Sequence, residues 1–182
     1  MVQIRQGFKP KPGRRVIPNL RHPRLSLLEA SDSDREFLHK VYASTRLNEM
    51  AATGWPTPTV DAFLRDQSRL QHLHYRKYFP QTRFQIVLVD GLPAGRFYVQ
   101  ALRDCIRLLD LALLPDFRGQ GHGTALLKDL LAMADALALP LSLHVEINNP
   151  VRAWYRRLGF KECSADGVYC LMERAAAPAM AG

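Results

Sequence analysis

The residues whose types and spacing could do chemistry are concentrated in a glycine-rich segment near the middle of the chain. Residues 118–123 read RGQGHG and lie between an apolar run closed by Pro115 and a helix-like pattern that opens at Thr124. Glycines at alternate positions let backbone N–H groups converge, and a helix start adds free N–H donors and a positive dipole end. The order strand, glycine turn, helix predicts a site for a phosphate or pyrophosphate.

Spacing disfavours two common nucleotide-binding loops here. The dinucleotide fingerprint G-x-G-x-x-G requires a glycine where Thr124 stands, and the chain has no Gly-Lys-Ser/Thr sequence for a P-loop. The pattern that fits is Arg-x-x-Gly-x-Gly, formed by Arg118, Gly121 and Gly123. A turn that only connects a strand to a helix is the alternative interpretation of the loop taken alone.

Length and composition indicate one globular domain. The chain has 182 residues, of which 47% are hydrophobic, and no apolar run approaches the roughly 20 residues of a membrane helix. The first residues lack the apolar core of a signal peptide. Cys105, Cys163 and Cys170 are too few and too irregular for a disulfide framework or a zinc site. We therefore expect reduced cysteines, a cytoplasmic location and no metal.

The net charge of +8 is concentrated at the start of the chain. Residues 1–24 hold 7 of the 25 basic residues and no acidic one, which leaves 18 basic against 17 acidic residues elsewhere. We interpret residues 1–24 as a flexible basic leader that is solvated or lies along a partner subunit. An arm that binds nucleic acid is the less favoured alternative.

The first third of the chain predicts one strand and two helices. Residues 25–28 form a strand pattern, residues 33–36 read as a capping box, and the helix that follows ends near Arg46. Residues 48–58 are predicted as a loop, and residues 59–78 as a second helix. This second helix is expected to place a set of apolar side chains inward: Val60, Phe63, Leu64, Leu70 and Leu73.

The remainder predicts strands alternating with helices. Strand patterns at 84–89 and 96–102 flank a turn at Asp90-Gly91, and residues 106–114 predict a central strand before the glycine loop. A helix stopped by Pro140, a strand at 141–145, a helix after Asn149-Pro150 and a hairpin at 160–172 follow. This order predicts an α/β or α+β fold with a single sheet.

A second motif lies in residues 148–160. Asn148 precedes Tyr155 by seven residues, and Gly159 and Phe160 follow. Together with the Arg-x-x-Gly-x-Gly loop, this pattern resembles the GNAT superfamily of acyl-CoA N-acyltransferases. Two departures are Val151 at a usual alanine and an Asn-Pro pair one residue late, so that Asn148 and Asn149 compete for one role.

The resemblance covers roughly residues 25–174 and leaves a tail at 175–182, which we expect to be frayed. It implies a mixed, mostly antiparallel sheet of about six or seven strands flanked by about four helices. It also implies transfer of an acetyl group from acetyl-CoA to a primary amine, by direct attack in a ternary complex. The residues that the resemblance assigns to the coenzyme are Leu111, Ala112, Leu113, Arg118, Gly119, Gln120, Gly121, His122, Gly123, Thr124, Asn148 and Asn149.

The proton transfers need an acid and a base. The resemblance assigns the acid to Tyr155, which would protonate the coenzyme sulfur; its alternative role is a core aromatic beside Trp154. A base is required because a free alkyl amine has a pKa near 10.4. Some family members carry a glutamate where this chain has Arg107, so the candidates are Asp110 and Glu146. Asp110 lies among leucines, where its alternative role is a buried acid held by backbone donors or a basic partner.

The sequence gives the least information about the acceptor of the acetyl group. The resemblance assigns the acceptor pocket to residues 48–78, which include Trp55, Tyr75 and Tyr78, and this suits a small-molecule or a peptide amine equally. Neither a membrane nor nucleic acid is expected as a partner, and a homodimer is left open. A non-catalytic acyl-CoA-binding or regulatory domain of the same fold is the alternative function.

Overall fold

The computed structural model describes residues 17–177 of the chain. Within them, seven strands and five α-helices follow the order β1 (Leu25–Glu29), α1 (Arg35–Ser44), α2 (Leu47–Ala51), α3 (Thr57–Tyr78), β2 (Arg83–Val89), β3 (Leu92–Ala101), β4 (Ile106–Leu113), α4 (His122–Ala136), β5 (Leu141–Glu146), α5 (Val151–Arg157), β6 (Lys161–Asp166) and β7 (Tyr169–Arg174).

The strands form a single mixed sheet in the order β1-β2-β3-β4-β5-β7-β6. The pairs β1–β2, β5–β7 and β6–β7 are antiparallel, whereas β4 and β5 are parallel, with Ile106 opposite Leu141. A parallel pair needs a long crossover, and the glycine loop and α4 provide it. The predicted single, mostly antiparallel sheet is confirmed.

The described residues fall into two compact units. One unit comprises residues 20–98 and 110–126, and the other comprises residues 17–19, 99–109 and 127–177. In the first unit, Val41, Ala112 and Leu114 form a buried cluster against which Phe37 and Phe117 pack. In the second, the side chains of Leu130, Leu141 and Met172 are fully buried.

The capping box before α1 uses other residues than predicted. The Asp34 carboxylate accepts hydrogen bonds from the Ser31 backbone N–H at 2.8 Å and from the Ser31 hydroxyl at 2.7 Å. Residues 33–36 fit the same sequence pattern, but Asp32–Asp34 already form a 3₁₀ turn. Ser33 is therefore inside the helical turn and cannot act as its N-cap.

The segment predicted as a loop contains the short helix α2. The Arg46 and Glu49 side chains form an ion pair at 2.9 Å, three residues apart, and Gly54 has a φ of +67° beyond the helix. A five-residue helix is shorter than periodicity can detect.

Helix α3 has the predicted length but does not bury the predicted side chains. Leu64 is buried, whereas Phe63, Leu70 and Leu73 are 38%, 44% and 51% exposed. The inward placement of these three residues was wrong, because apolar residues occur on more than one side of α3 and periodicity could not separate the two sides.

Helix α4 begins at His122, two residues before the predicted start. The predicted hairpin is confirmed around Asp90-Gly91, but β3 begins at Leu92 and includes Pro93 and Gly95, which were expected in the turn. Within residues 17–177, no helix is long and apolar enough to cross a membrane.

Candidate functional site

The end of β4 is fixed by a close approach of the β3 backbone. A Cβ added at Gly95 would lie 2.2 Å from the Ala112 carbonyl oxygen and 2.9 Å from the Leu113 Cα, so only glycine fits there. The Leu114 N–H donates to the Ala94 carbonyl at 2.8 Å. These contacts set the position of Leu111–Leu113, the segment expected to bind the pantetheine arm.

The glycine loop presents open backbone at the start of α4. Gly119 and Gly121 have φ values of +72° and +84°, and a Cβ at either position would meet nothing within 4 Å. The first N–H groups of an α-helix have no acceptor within the helix, and they carry the positive end of its dipole. The loop therefore combines the two features expected for a pyrophosphate site.

The Arg118 side chain donates hydrogen bonds to other residues of the protein. Its Nε donates to the Leu113 carbonyl at 2.7 Å, and its Nη2 donates to the Ser44 hydroxyl at 2.9 Å and the Ser44 carbonyl at 3.2 Å. Arg118 thus ties the end of β4 to the C-terminus of α1. Its predicted role toward the pyrophosphate stays a prediction. Gln120 donates in the same way to the Asp116 carbonyl, at 2.6 Å.

His122, the first residue of α4, is buried beneath the loop. Only 2% of its surface is exposed, and neither ring nitrogen has a hydrogen-bond partner among the described residues. Its ring packs edge-on against His22 with the centroids 5.6 Å apart. Burial, followed by the charges of Arg24 and His22, lowers the pKa of His122. We therefore interpret His122 as a neutral imidazole packed against His22.

Asp110 on β4 has a basic partner that the sequence analysis did not identify. Arg96 on β3 forms an ion pair with its Oδ2 at 2.7 Å, and the two side chains are only 6% and 13% exposed. Burial is the largest single influence and lowers the pKa of Arg96, but the charge and hydrogen bond of Asp110 together with Tyr98 and Tyr75 outweigh it, so the pKa is raised. Of the two roles considered for Asp110, the ion pair fits the buried acid with a basic partner.

Aromatic residues surround the ion pair. The Arg96 guanidinium lies 5.8 Å from the Tyr42 ring centroid and 5.6 Å from that of Tyr98. The Tyr75 hydroxyl of α3 donates to Asp110 Oδ2 at 3.5 Å. Burial raises the pKa of Tyr98 to about 12. Of the three aromatic residues expected to line the acceptor pocket, Tyr75 therefore reaches the sheet, while Trp55 and Tyr78 are 47% and 49% exposed.

A second group of predicted site residues lies in the second unit, on β5, on α5 and in the turn between them. Tyr155 is buried and packs against Phe160 and Trp154, with ring centroids 5.6 Å and 4.9 Å apart. Asn149 Oδ1 accepts a hydrogen bond from the Val151 N–H at 3.0 Å. The Asn149 side chain thus accepts a hydrogen bond from the first N–H of α5, and both Asn148 and Asn149 are exposed.

Glu146 is the last residue of β5. It is half-buried and lies opposite Tyr169 in the antiparallel ladder with β7. Arg107 lies on β4 opposite Ser142 of β5, and its Nε is buried without a hydrogen-bond partner among the described residues. Each of the two units therefore contains one set of the predicted site residues.

Two residues that shape the candidate site and that sequence reasoning missed are Arg96 and Gly95. An arginine within an otherwise apolar strand signals a buried acidic partner, and this signal was present in the sequence. The close approach at Gly95 depends on the spacing of β3 and β4, and only the structure shows it. No group of three His, Cys, Asp or Glu side chains in residues 17–177 could hold a metal ion.

Three of the solved structures similar to this one are named as acetyltransferases. PaiA N-acetyltransferase of Thermoplasma acidophilum, solved with coenzyme A, is 20% identical, with 83% of this chain and 98% of that chain covered and a TM-score of 0.61. An acetyltransferase of Thermus thermophilus is 24% identical, with coverages of 83% and 96% and a TM-score of 0.60. The ribosomal-protein-S18-alanine N-acetyltransferase of Escherichia coli is 19% identical, with coverages of 87% and 96% and a TM-score of 0.52. At these identities the likeness shows the fold.

Sequence comparison identifies the family. No curated protein sequence matches the chain. The family model described as "Acetyltransferase (GNAT) family" matches residues 38–160, a range that contains β4, the glycine loop, β5 and α5. Because that match spans more than half of the sequence, the chain belongs to the GNAT family of acetyltransferases.

Proposed function

We propose that the chain transfers an acetyl group from acetyl-CoA, the donor of its family, to a primary amine of a small molecule or a peptide. The observation that carries the proposal is the arrangement at the end of β4. A strand held in place by Gly95, two glycines with positive φ and the first turn of α4 together suit a pyrophosphate next to an extended acyl chain.

The proposed reaction is direct attack in a ternary complex. The amine nitrogen attacks the thioester carbonyl carbon, the C–S bond breaks, and the coenzyme leaves as its thiol. Backbone N–H groups near Leu113 polarise the carbonyl oxygen, and the Tyr155 hydroxyl gives its proton to the sulfur. A base takes one proton from the amine.

The structure makes Glu146 the first base to test. Protonation of Asp110 would remove the negative charge that compensates the buried Arg96, and a buried cation without a counter-charge is costly. Proton uptake by Asp110 would therefore have a cost elsewhere in the protein. We assign Asp110 a supporting role and Glu146 the role of base, acting directly or through a water.

The proposed reaction requires an acceptor amine, and two observations bear on what kind of amine it is. The E. coli neighbour is named for acetylation of an alanine of a ribosomal protein, so a peptide amine is within reach of this fold. Tyr75 joins α3 to the Asp110–Arg96 pair, which supports α3 as one wall of the acceptor site.

Free-thiol release measured over a panel of small amines and peptides tests the proposed function. We expect turnover that depends on the amine supplied, and a loss of roughly 100-fold in kcat for Glu146→Gln or Tyr155→Phe. Glu29→Gln, which changes an exposed glutamate at the end of β1, is the matched control and should leave kcat unchanged. Calorimetric binding of acetyl-CoA without turnover on any amine would instead favour the non-catalytic acyl-CoA-binding module.

A further inference from the structure

The outer face of α3 exposes several large apolar side chains. It consists of Phe63, Leu70 and Leu73, extended by Trp55, whose ring packs edge-on against Phe63 with centroids 5.6 Å apart. Their exposed fractions lie between 38% and 51%, while Leu64 is the buried residue of this 22-residue helix. Large exposed apolar patches of this kind mark interaction surfaces.

The spacing along this face is that of a helix-pairing seam. Residues 63, 66, 70, 73 and 77 follow one another at intervals of three or four, so they lie on one side of α3. The two charged members of the seam are Asp66 toward the N-terminal end and Lys77 at the C-terminal end. The seam therefore carries an acidic position and a basic position with two leucines between them.

We infer that α3 packs antiparallel against α3 of a second copy of this chain, with Leu70 and Leu73 at the centre of a twofold interface. Asp66 and Leu70 are four residues apart, as are Leu73 and Lys77. A register that places Asp66 beside the second copy's Lys77 therefore places Leu70 beside the second copy's Leu73. Twofold symmetry repeats both contacts, which makes the surface self-complementary.

The charges of the seam favour antiparallel over parallel pairing of the two helices. A parallel pair in register would place Asp66 beside Asp66 and Lys77 beside Lys77, and both contacts repel. Asp66 now pairs with Arg69 at 2.7 Å, but both side chains are more than half exposed. Such a surface pair contributes little, so Asp66 can turn toward Lys77 at small cost. This inference does not depend on the proposed acetyl transfer.

Sedimentation velocity of the full chain over a range of concentrations tests the inference. We expect a monomer–dimer equilibrium in the wild type and a dissociation constant raised at least 100-fold by Leu73→Glu. Leu92→Glu, at a residue that is 62% exposed on β3, is the matched control and should leave the dimer unchanged. A wild type that is monomeric throughout, or a dimer that Leu73→Glu does not weaken, would overturn it.

A charge exchange tests the direction and register. Asp66→Lys and Lys77→Asp should each weaken the dimer about tenfold, and the double variant should recover most of the wild-type affinity because the attraction is restored with its signs reversed. Additive losses in the double variant would contradict the antiparallel register. Circular dichroism of each variant checks that the monomer is folded, which we expect because all these side chains are exposed.

Discussion

The segment from β3 to the start of α4 and the helix α3 present opposite relations between sequence and structure. In the first, the structure depends on single backbone positions: Gly95 admits a neighbouring strand, and Gly121 adopts a positive φ. In the second, it depends on which side chains find a partner, and Leu64 is buried while Leu73 is half exposed. The requirement at Gly121 is visible in the sequence as glycine at a fixed spacing, whereas the close approach at Gly95 and the buried face of α3 depend on what packs against them.

Among the variants that test this comparison, Asp110→Asn is expected to change the free energy of unfolding most. The change leaves the buried Arg96 without its counter-charge, and we expect a loss of about 3 to 5 kcal/mol in the free energy of unfolding, measured by urea denaturation. The double variant Arg96→Met/Asp110→Leu should be more stable than Asp110→Asn, because it removes both charges together. An Asp110→Asn protein as stable as the wild type would show that the pair does not support this segment.

Alanine substitutions on the two sides of α3 test which side of this helix is buried. Leu64→Ala should cost about 2 to 5 kcal/mol of unfolding free energy, because Leu64 is 3% exposed and its removal leaves a cavity. Leu73→Ala should change the stability of the monomer by no more than about 0.5 kcal/mol. The measurement is urea denaturation at a protein concentration where the chain is monomeric. Equal losses would mean that α3 buries both sides.

A smaller effect is expected from pH at the loop. Because the pKa of His122 is lowered in the folded protein, the unfolded chain binds more protons as pH falls below the usual histidine pKa of about 6.5. Stability is therefore retained above that pH and lost below it. His122→Phe should reduce the fall in melting temperature between neutral and mildly acidic buffer. Because His72, His74 and His144 are shifted in the same direction, we expect part of the fall to persist. An unchanged fall in the variant would contradict the buried, neutral state of His122.

The sequence predicted all seven strands and four of the five α-helices of the described chain to within a few residues. Asp90-Gly91, Pro140 and Gly159 signalled the ends of elements because their conformations are restricted or unusual. Helix α2 was missed because five residues carry no detectable period. The capping box was displaced because Ser31 and Ser33 both precede acidic residues at plausible spacing, and only the 3₁₀ turn distinguishes them.

Some parts of the candidate site could be predicted from the sequence, and others could not. The glycine loop could be located because its proposed role in binding a pyrophosphate uses backbone N–H groups, which calls for glycine at fixed spacing. The partner of Asp110 could not be assigned, because Arg96 is fourteen residues away and the pairing depends on the register between β3 and β4. The use of Arg118 toward Ser44 depends likewise on how α1 packs. The roles of Asp110, Glu146 and Tyr155 in the reaction stay predictions.

The central claim is that the loop of residues 118–123 binds the pyrophosphate of acetyl-CoA, and calorimetry on two matched glycine variants tests it most directly. Gly121 and Gly54 both have positive φ, and a Cβ at either would meet nothing within 4 Å, so valine strains the backbone similarly at both positions. We predict that Gly121→Val weakens binding of acetyl-CoA at least about tenfold, or about 1.4 kcal/mol, whereas Gly54→Val binds like the wild type. Equal affinity of all three proteins would contradict the claim.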